Sequence, residues 1–75
     1  MEKKELIEWA IKGINAEIDA LESSIVKGKK YLAQIERGEP VKTPKTEIEI
    51  LQIIEEKAAE IERLEKEKFA LKWLV

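Results

Sequence analysis

Basic side chains concentrate in one stretch of this sequence, between positions 27 and 45. Six lysines and arginines stand there against two glutamates, so the stretch has a net charge of six minus two, or +4. The candidate residues are these six cations together with a glycine and a tyrosine that lie among them: Lys27, Gly28, Lys29, Lys30, Tyr31, Arg37, Lys42 and Lys45. Clustered cations attract phosphates, and a tyrosine ring can stack on a base. These eight residues are therefore a candidate site for an anion, a nucleotide or a nucleic acid.

A second interpretation of the basic stretch requires no ligand. Cations near the C-terminus of a helix complement its dipole, which accounts for some of these lysines as part of a solvated helix end. The acidic residues that follow also offset the charge, because positions 46–67 hold eight glutamates against three cations, a balance of −5. The whole chain has a formal net charge of −2. Both interpretations stay open at this stage.

Gly28 also has two interpretations. It allows close approach of a neighbouring backbone, or it leaves a small recess beside Lys27, Lys29, Tyr31 and Leu51. A recess lined by an aromatic ring and a few convergent polar groups is the expected form of a small-molecule site.

Catalysis is not expected of this chain. Its 75 residues include no histidine and no cysteine, so the commonest general base, the thiolate nucleophile and the usual zinc ligands are missing. The three glycines are isolated and form no phosphate-binding loop. We therefore expect a protein without catalytic residues, bound metal or cofactor.

The first element that positions these residues is a long helix, predicted over residues 3–36. Its large apolar residues recur at intervals of three and four, with Gly28 as the one gap in the series: Ile7, Ile11, Ile14, Ile18, Leu21, Ile25, Leu32 and Ile35. This period of about 3.5 residues keeps one apolar seam facing a partner helix. Gly38 and Pro40 mark the end of the helix.

The second element is a helix predicted over residues 44–74. Thr43 can cap it with Pro44 in its first turn, or Thr46 can cap it with Glu49 completing a capping box; we favour Thr43. Two long helices joined by a short loop form an antiparallel hairpin, in which facing residue numbers add up to about 80. The chain is thus predicted to be a single all-α domain over residues 1–75.

The apolar face of the second helix is too broad for one partner helix to cover. We therefore expect self-association, most simply two hairpins in a four-helix bundle, with a lone hairpin as the alternative. The residues expected at an interface with a second copy or a partner protein are Trp9, Ile53, Phe69, Leu71, Trp73 and Leu74.

Three functions are consistent with these features. The favoured one is a non-enzymatic, homo-oligomeric interaction module that acts as a regulator, adaptor or inhibitor by binding a macromolecular partner. The second is binding of a nucleotide or nucleic acid at the basic loop end, and the third is a structural spacer in a larger assembly. No apolar run approaches the ~20 residues of a membrane span, so a cytoplasmic protein without a membrane partner is expected.

Overall fold

The chain folds into an antiparallel hairpin of two α-helices. The computed structural model describes residues 2–41 and 45–74; in these ranges, α1 spans Lys3–Glu36 and α2 spans Glu47–Lys72. The two helices lie side by side in a rod of 54 × 16 × 16 Å. The prediction of an all-α helical hairpin is confirmed. Within the described residues, no helix is long and apolar enough to cross a membrane.

The end of α1 agrees with the sequence signals at Gly38 and Pro40. Gly38 has a φ of +71°, and its N–H donates to the carbonyl oxygen of Ile35 at 3.0 Å, while the N–H of Glu39 donates to Gln34 at 2.9 Å. This pair of bonds is the Schellman motif, which satisfies carbonyl groups that the end of a helix leaves without partners. The bounds of α1 are those predicted, residues 3–36.

The start of α2 differs from the favoured prediction. The helix begins at Glu47, three residues later than expected, and Thr46 is its N-cap: the Thr46 hydroxyl oxygen accepts a hydrogen bond from the N–H of Glu49 at 3.2 Å. The cap at Thr43 was therefore wrong; Thr43 and Pro44 themselves lie outside the described residues. Glu47 and Glu49 add negative charge in the first turn, where it interacts favourably with the positive end of the helix dipole.

The end of α2 also falls short of its predicted position at residue 74. The helix ends at Lys72, and its last turn tightens: Trp73 and Leu74 donate to the carbonyl oxygens of Ala70 and Leu71 at 3.2 and 3.1 Å. These bonds span three residues rather than four, which is common where a helix terminates.

The core between the two helices is small. Only Ile7, Ile18, Ile50 and Leu64 are buried among the described residues, with exposed fractions of 3 to 8%. The remaining apolar seam residues of α1 are half-buried, so the predicted seam does face α2. A domain of this size buries only about 60% of the surface of its unfolded chain.

The pairing of the two helices follows the predicted register. Gly28 lies against Ile54 and Ile50, and Glu17 interacts electrostatically with Arg63. The residue numbers of these pairs add up to between 78 and 82. This register places the basic stretch of α1 beside the first two turns of α2.

Replacing Thr46 with alanine should destabilise the hairpin by about 1 kcal/mol, because the first turn of α2 then loses its capping oxygen. Urea unfolding followed by circular dichroism, at one fixed protein concentration, measures the change. Thr46→Ser retains the hydroxyl and should recover most of the loss. Equal destabilisation by the two substitutions would show that the hydroxyl does not cap the helix.

Candidate ligand-binding groove

A groove runs between α1 and α2 near the loop end of the hairpin. It has a volume of about 360 Å³ and is partly open to solvent. Its lining residues are Ser24, Lys27, Gly28 and Tyr31 from α1, together with Lys45, Ile50, Ile53, Ile54 and Lys57 from the second half of the chain. Small-molecule sites commonly occupy roughly 300–1,000 Å³, so the groove is at the lower end of that range.

Gly28 lines this groove and is also a point of close contact between the two helices. A Cβ atom at position 28 would lie 3.0 Å from Cγ1 and 3.1 Å from Cδ1 of Ile54, and 3.6 Å from Cγ2 of Ile50. The missing side chain therefore lets α2 approach α1 closely. Gly28, Ile50 and Ile54 all line the groove, so the groove lies beside this close contact.

The structure brings four of the eight predicted site residues together: Lys27, Gly28, Tyr31 and Lys45 line one groove. Lys29 and Lys30 are exposed on α1 and do not line it. Successive residues of a helix point about 100° apart, so Ser24, Lys27, Gly28 and Tyr31 share an arc of about 100° on α1, and positions 29 and 30 fall outside that arc.

Arg37, a further predicted site residue, is not among the residues that line the groove. Arg37 pairs with Glu39, with its Nε 3.0 Å from Oε1 and its Nη2 3.3 Å from Oε2 of the carboxylate. Lys42 lies outside the described residues. Leu51, which was expected beside the recess, is exposed and is not among the residues that line the groove.

Sequence reasoning missed five groove residues: the polar Ser24 and Lys57, and the apolar Ile50, Ile53 and Ile54. Lys57 occupies an apolar seam position of α2, three residues after Ile54 and four before Ile61. A lysine at such a position keeps its aliphatic stem against the core and directs its ammonium group to the nearest solvent. The predicted register pairs position 57 with positions 23–24, so the interruption of the seam was a signal that Lys57 faces the region of Ser24.

The groove edge carries lysine charge, and acidic side chains paired with Arg63 follow one turn further along α2. The ammonium group of Lys27 lies 5.9 Å from the centre of the Tyr31 ring, a cation–π contact at the groove edge. One turn beyond Lys57, Glu60 forms a bidentate ion pair with Arg63, whose Nε lies 3.0 Å from Oε2 of Glu60. Arg63 also donates to Glu67 at 2.6 Å.

These ion pairs shift two pKa values. The hydrogen bond from Arg63 lowers the pKa of Glu60, and the hydrogen bond to Glu60, with the charges of Glu60, Glu67 and Glu17, raises the pKa of Arg63. All of these side chains remain in contact with solvent, so the pairing adds little to stability. The pairing does engage the Glu60 carboxylate with the Arg63 guanidinium.

A second candidate surface consists of exposed apolar side chains. Of the residues expected at an interface, Trp9, Phe69, Trp73 and Leu74 are exposed, whereas Ile53 and Leu71 are half-buried. Phe69 and Trp73 contact each other edge to face, with ring centroids 6.0 Å apart. Monomeric soluble proteins rarely leave large contiguous apolar patches uncovered.

The chain matches no known protein family, no curated protein and no solved structure. Within the described residues, no three acidic side chains are grouped in a way that would hold a metal ion. The groove can hold an anion by charge, and the apolar surface can bind another protein surface.

Alanine substitutions at Gly13 and Gly28 should differ in their effect on stability. A Cβ atom added at Gly13 would have no neighbour within 4 Å, so Gly13→Ala should stabilise the hairpin by up to ~1 kcal/mol through helix propensity alone. Gly28→Ala has the same propensity gain but presses on Ile54, so it should gain less or become destabilising. Thermal unfolding of both variants at one concentration compares them, and equal gains would contradict the close contact at Gly28.

Proposed function

We propose that the protein is a non-enzymatic interaction module that pairs as a homodimer and binds a macromolecular partner. The observation that supports this best is the amount of apolar surface on α2 that α1 leaves uncovered. Chains of this size often need a second source of stability, and the sequence has no cysteine or histidine for a disulfide or a zinc site. Association with a second copy supplies the missing burial.

Five uncovered apolar residues fall on one face of α2, which also carries Glu55 and Glu62 between them. Its apolar members are Ile48, Leu51, Ala58, Phe69 and Trp73, separated by three, seven, eleven and four residues, which are intervals that return to one face of a helix. The exposed fractions of Phe69 and Trp73 are 63% and 75%. We call these five residues the α2 strip.

The α2 strip is complementary to itself when two copies run antiparallel. Its large side chains stand at the two ends, and the pairs Ile48–Trp73 and Leu51–Phe69 have residue numbers that add up to 121 and 120. A two-fold axis near residue 60 therefore sets the apolar residues of one copy against those of the other. The same axis sets Glu55 opposite Lys66, a pair with opposite charges whose numbers also add up to 121. Two-fold dimers use one surface in this self-complementary way.

The partner-binding part of the proposal rests on α1. Leu6 and Trp9 are three residues apart near its N-terminus, and both are exposed, at 55% and 65%. Neither belongs to the α2 strip, so both stay uncovered in the proposed dimer, and tryptophan is enriched among residues that dominate binding energy at interfaces. A spacer in a larger assembly would use the same surfaces, and co-purification from the native host distinguishes a soluble partner from an assembly.

The absence of catalysis is also part of this proposal. The chain contains no histidine or cysteine, and none of the described polar or charged side chains is buried. Strongly perturbed, partly buried ionisable groups are the usual sign of an active site. The two shifted pKa values, those of Glu60 and Arg63, have a sufficient cause in their exposed ion pair.

Sedimentation equilibrium at micromolar concentration should give the mass of two chains, about twice 8.7 kDa. Leu51→Glu should shift the protein toward one chain, because it places a charge in the α2 strip. Leu6→Glu is the matched control: Leu6 and Leu51 are both exposed, at 55% and 45%, but Leu6 lies on α1, outside the strip. A monomeric wild-type protein, or equal dissociation by the two variants, would refute the proposed interface.

The direction of pairing has a separate test, because the chain has no cysteine of its own. Glu55→Cys and Lys66→Cys chains, mixed and oxidised, should form the mixed disulfide far more readily than either variant forms a disulfide with itself. Disulfides require Cα atoms about 4.4–6.8 Å apart, and an offset of eleven residues along a helix is roughly 16 Å. Preferred cross-linking within each single variant would indicate parallel pairing instead.

A further inference from the structure

We propose that the groove beside Gly28 is a binding site for a small organic anion that joins one carboxylate, sulfonate or phosphate group to an apolar ring. The groove combines an apolar floor with a rim of positive charge, and each part selects one half of such a ligand. This site is separate from the surfaces that the proposed dimer and its partner use.

The floor of the groove is apolar because the two helices approach each other there. Ile50 is buried, Ile54 is half-buried, and Gly28 contributes no side chain above them. A ring placed on this floor would remove from water the edges of Ile53 and Ile54 that α1 leaves uncovered. Burial of apolar surface contributes to binding roughly in proportion to the area removed from water.

The rim of the groove is positive. Lys27, Lys45 and Lys57 line it, along with Ser24 and Tyr31, and no carboxylate is among the described residues that line it. The Ser24 hydroxyl already donates to the carbonyl oxygen of Ala20 at 3.2 Å. The anionic group of a ligand would therefore be held mainly by ammonium groups.

The lysines from the two helices are available for this role. Among the described residues, Lys27 and Lys57 form no ion pair. The only acidic residue three or four positions from Lys57 along α2 is Glu60, and its carboxylate is engaged by Arg63. Two cations on different helices thus line one open space, and neither is paired with a carboxylate of the described residues.

The charges next to the groove favour a compact anion over a polyanion. Toward the end of the hairpin that holds the two chain termini, Arg63 interacts with Glu17, Glu60 and Glu67. These four side chains have a net charge of −2, from three negative charges and one positive. A nucleic-acid backbone that followed the helices from the groove would meet this negative region within two turns. Repulsion there limits the site to a ligand with a single anionic group.

The test is a titration of the ¹⁵N-labelled full chain with 2-naphthalenesulfonate, observed by nuclear magnetic resonance. Saturable shifts should centre on the amides of Ser24, Gly28 and Ile54. Methanesulfonate, which lacks the ring, and 2-naphthalenemethanol, which lacks the charge, should each bind at least about tenfold more weakly, because each engages only half of the groove. Affinity for the sulfonate should also fall as salt is added.

Two variants with the same change in net charge separate the groove from general attraction. Lys57→Met keeps an apolar stem at the seam and removes the ammonium group, so it should weaken sulfonate binding about fivefold. Lys30→Met removes a lysine that lies outside the groove and should change the affinity less than twofold. Circular dichroism of each variant confirms that the hairpin is still folded.

Three results would overturn the proposal. Equal weakening by Lys57→Met and Lys30→Met would mean that the sulfonate responds only to net charge. Shifts centred on Phe69 and Trp73 would mean that the ring binds the α2 strip instead. Absence of saturable binding up to ~10 mM would mean that the groove holds no such ligand.

Discussion

Two helices packed side by side can bury only the seam between them, and this constraint governs the rest of the molecule. A helix with its side chains is about 10–12 Å across, so most of its circumference remains in water when it has one neighbour. Among the residues that the structure describes, four buried isoleucine and leucine side chains are the result. Every apolar residue beyond the seam is exposed unless another surface covers it, and α2 has several such residues.

The two candidate sites lie on different sides of α2. Ile53 and Lys57 face the groove, whereas Leu51 belongs to the α2 strip. Positions 51 and 53 point roughly 200° apart on a helix, so a second hairpin that covers the strip leaves the groove accessible. Self-association and ligand binding are therefore compatible in one molecule.

The sequence was sufficient for those parts of the fold that local signals determine. The seam from Ile7 to Ile35, together with Gly38, predicted α1 at its observed bounds because periodicity and a left-handed glycine both marked it. The start of α2 was ambiguous, because Thr43 and Thr46 each carry a capping side chain and only the three-dimensional path of the connection decides between them. Propensity alone favoured the wrong threonine.

The groove was only partly predictable for a different reason. Counting charges along the chain identified Lys27 and Lys45 but also included Lys29 and Lys30, because composition does not say which way a helical side chain points. Lys57 lies twelve residues beyond the basic stretch and enters the groove only through the pairing of the helices.

The turn after α1 has a consequence for how two chains can meet. A helical hairpin can in principle open into one continuous rod and exchange its halves with a second chain, the process known as domain swapping. Gly38, with its φ of +71°, reverses the backbone direction, and Pro40 has no N–H to donate to the carbonyl group of Glu36 in a continued helix. Proline also disfavours the helical conformation at Glu39. The open rod is thus disfavoured at its centre, which favours the closed hairpin over an exchange of halves between two chains.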